Sequence, residues 1–220
     1  MTPASGDART AEFSIGQYRL RAEVPAGIFS LAVEADEAAA RAQHAAFADR
    51  CLPLLGHGLA QPAQTRQQLL RQLWAARQML VAAGVGYLGA VAGDLDGRAR
   101  IILLGIAVTP LTVPASIDPA NLLAALLRYQ YPGAAIEEFP TAHGQGVGIR
   151  RCDELSLPAG ISTASSAIDT GISQALVPFP QAGLLGTVTG FCFSPDDIDL
   201  ATVFTATIAY SLMMIRSSCS

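Results

Sequence analysis

Apolar and polar residues alternate over Tyr18-Arg19-Leu20-Arg21-Ala22-Glu23-Val24, the two-residue period of a half-buried strand, and Pro25 with Gly27 ends it. The extended path resumes over residues 28–33. From Asp36 or Glu37 the pattern becomes that of an Ala-rich helix reaching about Cys51 and stopped by Pro53. A loop around Gly56-His57-Gly58 and Gln61-Pro62 leads to the most regular helical segment of the chain, residues 65–83. Here Leu70, Leu73, Trp74, Leu80 and Val81 fall on one side and Arg66, Gln67, Arg71 and Gln78 on the other, so Trp74 is expected to be largely buried. Gly84 stands where a helix C-cap glycine belongs, and residues 85–92 and 100–108 read as a hairpin around Gly93-Asp94-Leu95-Asp96-Gly97.

Asp118-Pro119 is a helix start, with Asp as cap and Pro in the first turn; Leu122, Leu123, Leu126 and Leu127 form its buried face and Pro132-Gly133 ends it. Residues 136–139 and 145–150 make a short strand pair. Residues 158–171 are small and polar, without periodicity, and are expected to be a mobile loop. Ala175-Leu176-Val177-Pro178-Phe179 and Thr187-Val188-Thr189-Gly190-Phe191-Cys192-Phe193 flank a Pro180-Gln181-Ala182-Gly183 turn. Ser194-Pro195-Asp196-Asp197 then opens a long, acid-capped apolar helix that runs to residue 216. Leu200, Val203, Phe204, Ile208, Leu212 and Ile215 form its core face. The opposite face, Thr202, Thr205, Ala206, Ala209 and Met213, is equally short of charge, and a helix pale on both sides is usually covered twice.

Hairpins and helices are segregated in this order rather than alternating. The expected class is therefore α+β, a single antiparallel sheet flanked by helices, and not a doubly wound parallel sheet. The expected organisation is a flexible segment 1–16, one domain 17–216 and a tail 217–220.

Only 15% of residues are charged, against roughly 25% in an average globular chain. The surface must then be rich in small neutral residues, which favours association. The net charge of -4 and the absence of a basic cluster exclude a phosphate-backbone footprint, so no nucleic-acid partner is expected. All 14 basic residues are Arg; without Lys there is no Schiff-base chemistry and no Gly-Lys-Ser phosphate loop. The uncharged run over residues 200–215 is shorter than the roughly 20 residues a bilayer crossing needs, so no integral membrane segment is expected. Residues 1–11 are polar and lack the pattern of a signal peptide, and a cytoplasmic location is the expectation.

Cys51, Cys152, Cys192 and Cys219 include no close pair of the kind that builds a zinc or redox motif, and are expected to be buried free thiols. His44, His57 and His143 read as surface or loop residues, and no metal or cofactor is expected. His143-Gly144-Gln145-Gly146-Val147-Gly148 precedes a strand, where a dinucleotide fingerprint must follow one. Asp94 and Asp96 are explained by turn chemistry. One catalytic alternative stands: a small-molecule-binding protein or cryptic hydrolase that brings together His143, Cys152 and the serines from Ser162 to Ser166.

Three segments carry a resemblance. They are residues 69–91; the Asp118-Pro119 helix leading into Ile136-Glu137-Glu138-Phe139 and Val147-Gly148-Ile149-Arg150; and Gln174-Ala175-Leu176-Val177-Pro178-Phe179-Pro180 through Phe193-Ser194-Pro195-Asp196-Asp197. In hydrophobic pattern they resemble a family of uncharacterised actinobacterial proteins with a PsbP-like α/β/α sandwich fold. The resemblance covers most of residues 65–216 and brings no catalytic residue with it. It implies a non-enzymatic protein that binds other proteins, and a tie to an actinobacterial secretion locus. Some relatives resemble mycobacterial lipoproteins, whose lipid-bearing amino-terminal Cys has no counterpart here. The combined expectation is a non-catalytic protein-interaction module that binds a protein partner or itself, as a homodimer, through Thr202, Thr205, Ala206, Ala209 and Met213.

Overall fold

Alternating segments of the chain are extended and segments with a three-to-four residue apolar period are helical, as elementary side-chain geometry requires. The computed structural model describes residues 8–15, 17–31, 36–55, 62–82, 84–95, 98–156 and 167–215. Within them, seven strands form one sheet, and every pairing is antiparallel. A second, three-stranded antiparallel sheet is built from β1 (Arg9–Ile15), β2 (Tyr18–Val24) and β10 (Met213–Ile215), with β2 in the centre. The large sheet comprises β3 (Phe29–Leu31), β4 (Val85–Leu95), β5 (Arg98–Pro110), β6 (Ala135–Thr141), β7 (Gly144–Ser156), β8 (Ala167–Phe179) and β9 (Leu184–Cys192). Its spatial order is β3-β4-β5-β9-β8-β7-β6, which leaves β6 as an edge.

Four helices cover this sheet. Asp36 opens α1 (Glu37–Cys51) by accepting the Ala39 N–H at 2.8 Å, and Asp118 opens α3 (Pro119–Gln130) by accepting the Asn121 N–H at 3.0 Å. The second helix, α2 (Pro62–Ala82), starts at a proline, and Gly84 beyond it has the left-handed φ of 81° expected of a C-cap glycine. The fourth, α4 (Ile198–Ser211), has no side-chain cap. Asp197, the expected acidic cap, gives its carboxylate to Arg100 at 2.7 Å instead.

Paired residues of neighbouring strands project on the same face, so the registers assign every side chain. One face carries Tyr87, Ile102, Leu104, Ile106, Val188, Cys192, Ala175 and Val177. It is covered by α4 and by the buried alternation of β2, Leu20, Ala22 and Val24. The opposite face is covered in two places: Phe47 and Cys51 of α1 with Leu69 and Leu73 of α2 lie over Leu88, Ala90 and Ala92, and α3 sets Ala120, Leu123 and Ala124 on Val147 and Leu176. The α+β class, an antiparallel sheet flanked by helices, is thus observed.

Several details differ from expectation. There are two sheets rather than one. Residues 9–15, inside the segment expected to be flexible, form β1 and send Phe13 into the core, where its ring lies 5.6 Å from that of Tyr87. The last helix ends at Ser211; Leu212 turns extended and the chain continues as β10 beside β2. Strand β8 begins at Ala167, inside the expected 158–171 loop, and residues 157–166 lie outside those described. On α3 the buried stripe passes through Ala120, Leu123 and Ala124, leaving Leu126 53% exposed. Trp74, by contrast, is largely covered as expected: it closes the seam between α1 and α2, with Arg41 and Arg77 stacked 4.3 and 4.9 Å from its ring and His44 edge-on beneath. The side chains of Leu80 and Val81 lie outside those described.

Candidate functional site

The orientation of α4 decides where a site can be. Its buried stripe is Ala201, Thr205, Ile208 and Ala209, followed by Leu212, whereas Val203 and Tyr210 are about half exposed to solvent. Small residues at four-residue spacing face the sheet because the sheet surface beneath is itself small. A Cβ on Gly190 would sit 2.9 Å from Thr205 Cγ2 and 3.2 Å from the Ala201 carbonyl oxygen. Helix and sheet therefore approach more closely than large side chains permit. The two polar side chains in this contact are satisfied: Thr205 donates to the Thr202 carbonyl at 3.0 Å and, at 2.9 Å, accepts from the Ser173 hydroxyl.

This corrects the expected interface. Thr205 and Ala209 are 1% and 0% exposed and belong to the core, Thr202 and Ala206 are half-buried, and Met213 lies beyond the helix on β10. The helix is indeed covered twice, by β8 and β9 beneath and by β2 at its flank, where Ser211 Oγ accepts the Glu23 N–H at 2.8 Å. Ala201, Thr205 and Ala209 are consumed inside the fold and are not available to a second copy.

Close seating of α4 over β8 and β9 leaves the outer part of the same sheet face, over β7 and β6, uncovered. A cleft of about 120 Å³ results. Its floor is Gly148, Ser173 and Ala175; one wall is Thr202, Thr205, Ala206 and Tyr210 of α4, and the other Glu137 and Phe139 of β6. Phe139 and Tyr210 meet edge to face at 5.4 Å, closing one end. At the other end Arg150 bridges Glu137 (3.2 Å) and Asp199 (3.1 Å), two carboxylates that are 73% and 84% exposed. Below the roughly 300 Å³ of ordinary small-molecule sites, the cleft has room for a side chain rather than a cofactor.

The catalytic alternative finds no such assembly. His143 lies in the β6–β7 turn with its ring 4.7 Å from Phe179, and burial lowers its pKa. Cys152 is exposed on β7, eight residues beyond Gly144, which at strand rise is about 26 Å away. Ser162 and Ser166 lie outside the described residues. The surface depression that holds His143 is lined by Ala142, Phe179, Pro180, Gln181, Ala182 and Met214, with no carboxylate or thiol.

Other titratable groups serve the core. Cys51 and Cys192 are buried as expected, with the Cys51 pKa pushed up to about 11 by burial; Cys152, exposed, departs from that expectation. His44 departs too, being buried at the α1–α2 seam. Its Nδ1 faces the Ala40 carbonyl at 2.7 Å and must carry the proton, and burial holds its pKa below the usual value. His57 and Cys219 lie outside the described residues. Among the described residues no group of three or more His, Cys, Asp or Glu is placed to hold a metal ion, and no helix is long and apolar enough to cross a membrane.

Glu137, Phe139, Gly148, Arg150 and Tyr210 were not singled out as site residues by the sequence. The signal they offer is slight: alternate glycines at 146 and 148, facing a strand that keeps an aromatic residue among two glutamates and a proline. No family model matches the chain, and no curated protein matches it.

Proposed function

We propose that this protein is a non-catalytic interaction module that holds a protein partner at the cleft between α4 and the β6 edge. The observation that carries the reading is the uncovered strip of sheet beside α4. Gly148, Ser173 and Ala175 form its floor, half-buried Phe139 and exposed Tyr210 close one end, and the exposed Val203 continues the apolar surface along the helix. Apolar area beside a polar rim is what a protein partner buries, and Tyr in particular supplies contact area at small entropic cost.

The resemblance to PsbP-like proteins belongs to the same proposal, because it implies proteins that bind other proteins. Self-association through the small residues of α4 is no longer part of it.

The test is selection from a displayed random-peptide library on the immobilised full chain, repeated on Ala206→Trp. An indole at 206 fills the cleft from the half-buried side of α4 and leaves the core contacts of Ala201, Thr205 and Ala209 in place. Peptides enriched on the wild type and lost on Ala206→Trp support the reading. No enrichment, or enrichment indifferent to the substitution on a folded variant, overturns it.

A further inference from the structure

The cleft runs along an open strand edge, and the chemistry of that edge selects what can occupy it. Resting on the module reading above, we infer that β6 accepts an extended segment carrying basic side chains as an eighth, antiparallel or parallel strand, with one of its side chains entering the cleft. Strand β6 pairs with β7 from Ala135↔Arg150 to Thr141↔Gly144 and is the last strand in the sheet, so among the described residues alternate backbone groups along its outer side have no strand beyond them. Pro140 has no N–H and ends the usable ladder, which leaves residues 135–139. Five residues is an ordinary strand length.

Charge then fixes the partner. Successive strand residues point to opposite faces, so Glu137 lies on the cleft side and Glu138 on the α3 side, both exposed. On the cleft side Glu137 and Asp199 make two carboxylates against the single guanidinium of Arg150, which they already share, and Glu138 adds an exposed carboxylate on the other face. Charges and proline on an edge guard against indiscriminate pairing. Against a second copy of this chain the guard is effective, since twofold pairings centred on the two glutamates set carboxylate against carboxylate. Against a strand with arginine or lysine opposite Glu137 and Glu138 the same residues attract. Main-chain hydrogen bonds supply affinity in such strand addition, and the alternate side chains supply specificity. Residues on the cleft side of the added strand would meet Phe139 and Tyr210 as well as Glu137.

The test uses labelled, end-capped heptapeptides of valine with two adjacent central arginines, whose side chains project to opposite faces of an added strand as Glu137 and Glu138 do, titrated against the full chain by fluorescence anisotropy. The same peptide N-methylated at alternate amides keeps its charge and loses its ladder, and a valine–glutamate peptide keeps the ladder and reverses the charge. Saturable binding of the arginine peptide is expected, weakened about tenfold or more by N-methylation and absent for the glutamate peptide. Glu137→Gln and Glu138→Gln should each weaken it about two- to fivefold, and less at high salt. Failure of the arginine peptide to bind, binding unaffected by N-methylation, or binding unaffected by both glutamate substitutions overturns the inference. Library peptides that depend on the cleft but ignore N-methylation and the glutamates would refute strand addition while leaving the interaction module standing. Absence of any cleft-dependent peptide would remove both.

Discussion

Replacing Gly190 by alanine tests whether α4 rests on the sheet as closely as the cleft requires. The added Cβ would meet Thr205 Cγ2 at 2.9 Å, the Ala201 carbonyl oxygen at 3.2 Å and Ala201 Cβ at 3.3 Å. Thr205 cannot swing away without losing the Ser173 hydroxyl, and a helix carbonyl moves only with its helix. Overpacking of this kind costs about 1–3 kcal/mol, offset by about 0.4–1 kcal/mol because alanine restricts the unfolded chain. The net loss is about 1–2 kcal/mol, or a fall in Tm of roughly 2–8 °C at this chain length. Gly93→Ala is the control. It makes the same chemical change in a strand with nothing within 4 Å of the new Cβ, and should hold or slightly raise the Tm. Thermal unfolding followed by circular dichroism compares the two. A Gly190→Ala protein as stable as Gly93→Ala would mean that α4 does not lie on β9 as described, and the cleft beside it would lose its physical basis.

Three further outcomes follow from the core. Thr205→Val should cost about 1–3 kcal/mol by stranding the buried Ser173 hydroxyl, and adding Ser173→Ala should recover part of that loss in a denaturation cycle; strict additivity would contradict the hydrogen bond. His44, whose folded pKa is lowered by burial, binds a proton more readily in the unfolded chain, so its contribution is complete above about pH 6.5 and declines as pH falls from there towards the folded value. Denaturant titrations between pH 7.5 and 5 should show that decline in the wild type and a shallower one in His44→Phe. Iodoacetamide at about pH 8 should label Cys152 in the native protein and spare Cys51 and Cys192, as read by peptide mass mapping; prompt labelling of Cys51 would contradict its burial and raised pKa.

Much of the architecture is legible in the residues because it rests on short-range periodicity. The alternation of β2, the β4–β5 hairpin, the Asp118 cap and the β8–β9 pair each declare themselves within neighbouring stretches of the chain. What the sequence conceals depends on contacts between distant segments. β10 is three residues long and exists because Met213, Met214 and Ile215 pair with Arg21, Leu20 and Arg19. β1, by contrast, pairs with β2, its neighbour in the chain.

The rotation of α4 is the instructive difference. Hydrophobicity places Val203 and Phe204 inward and the small residues outward, yet Gly190 on β9 admits only small side chains at the closest approach. Ala201, Thr205 and Ala209 fill that approach, and Val203 is left outside. Close packing, not apolarity alone, orients the helix. The cleft follows from that rotation and from the β6 edge, neither of which is visible before the strand order is known. The histidine and cysteine that look near in sequence are carried apart by the extended strand between them.

The most direct measurement is the hydrogen-exchange footprint of a library peptide bound to the full chain, read by mass spectrometry against the free protein. Protection confined to residues 135–141, with a smaller effect over the exposed side of α4 from 199 to 210, is the result this account predicts. Protection centred on α1 and α2, or on the turn that holds His143, with β6 unchanged would place the binding surface elsewhere and contradict it.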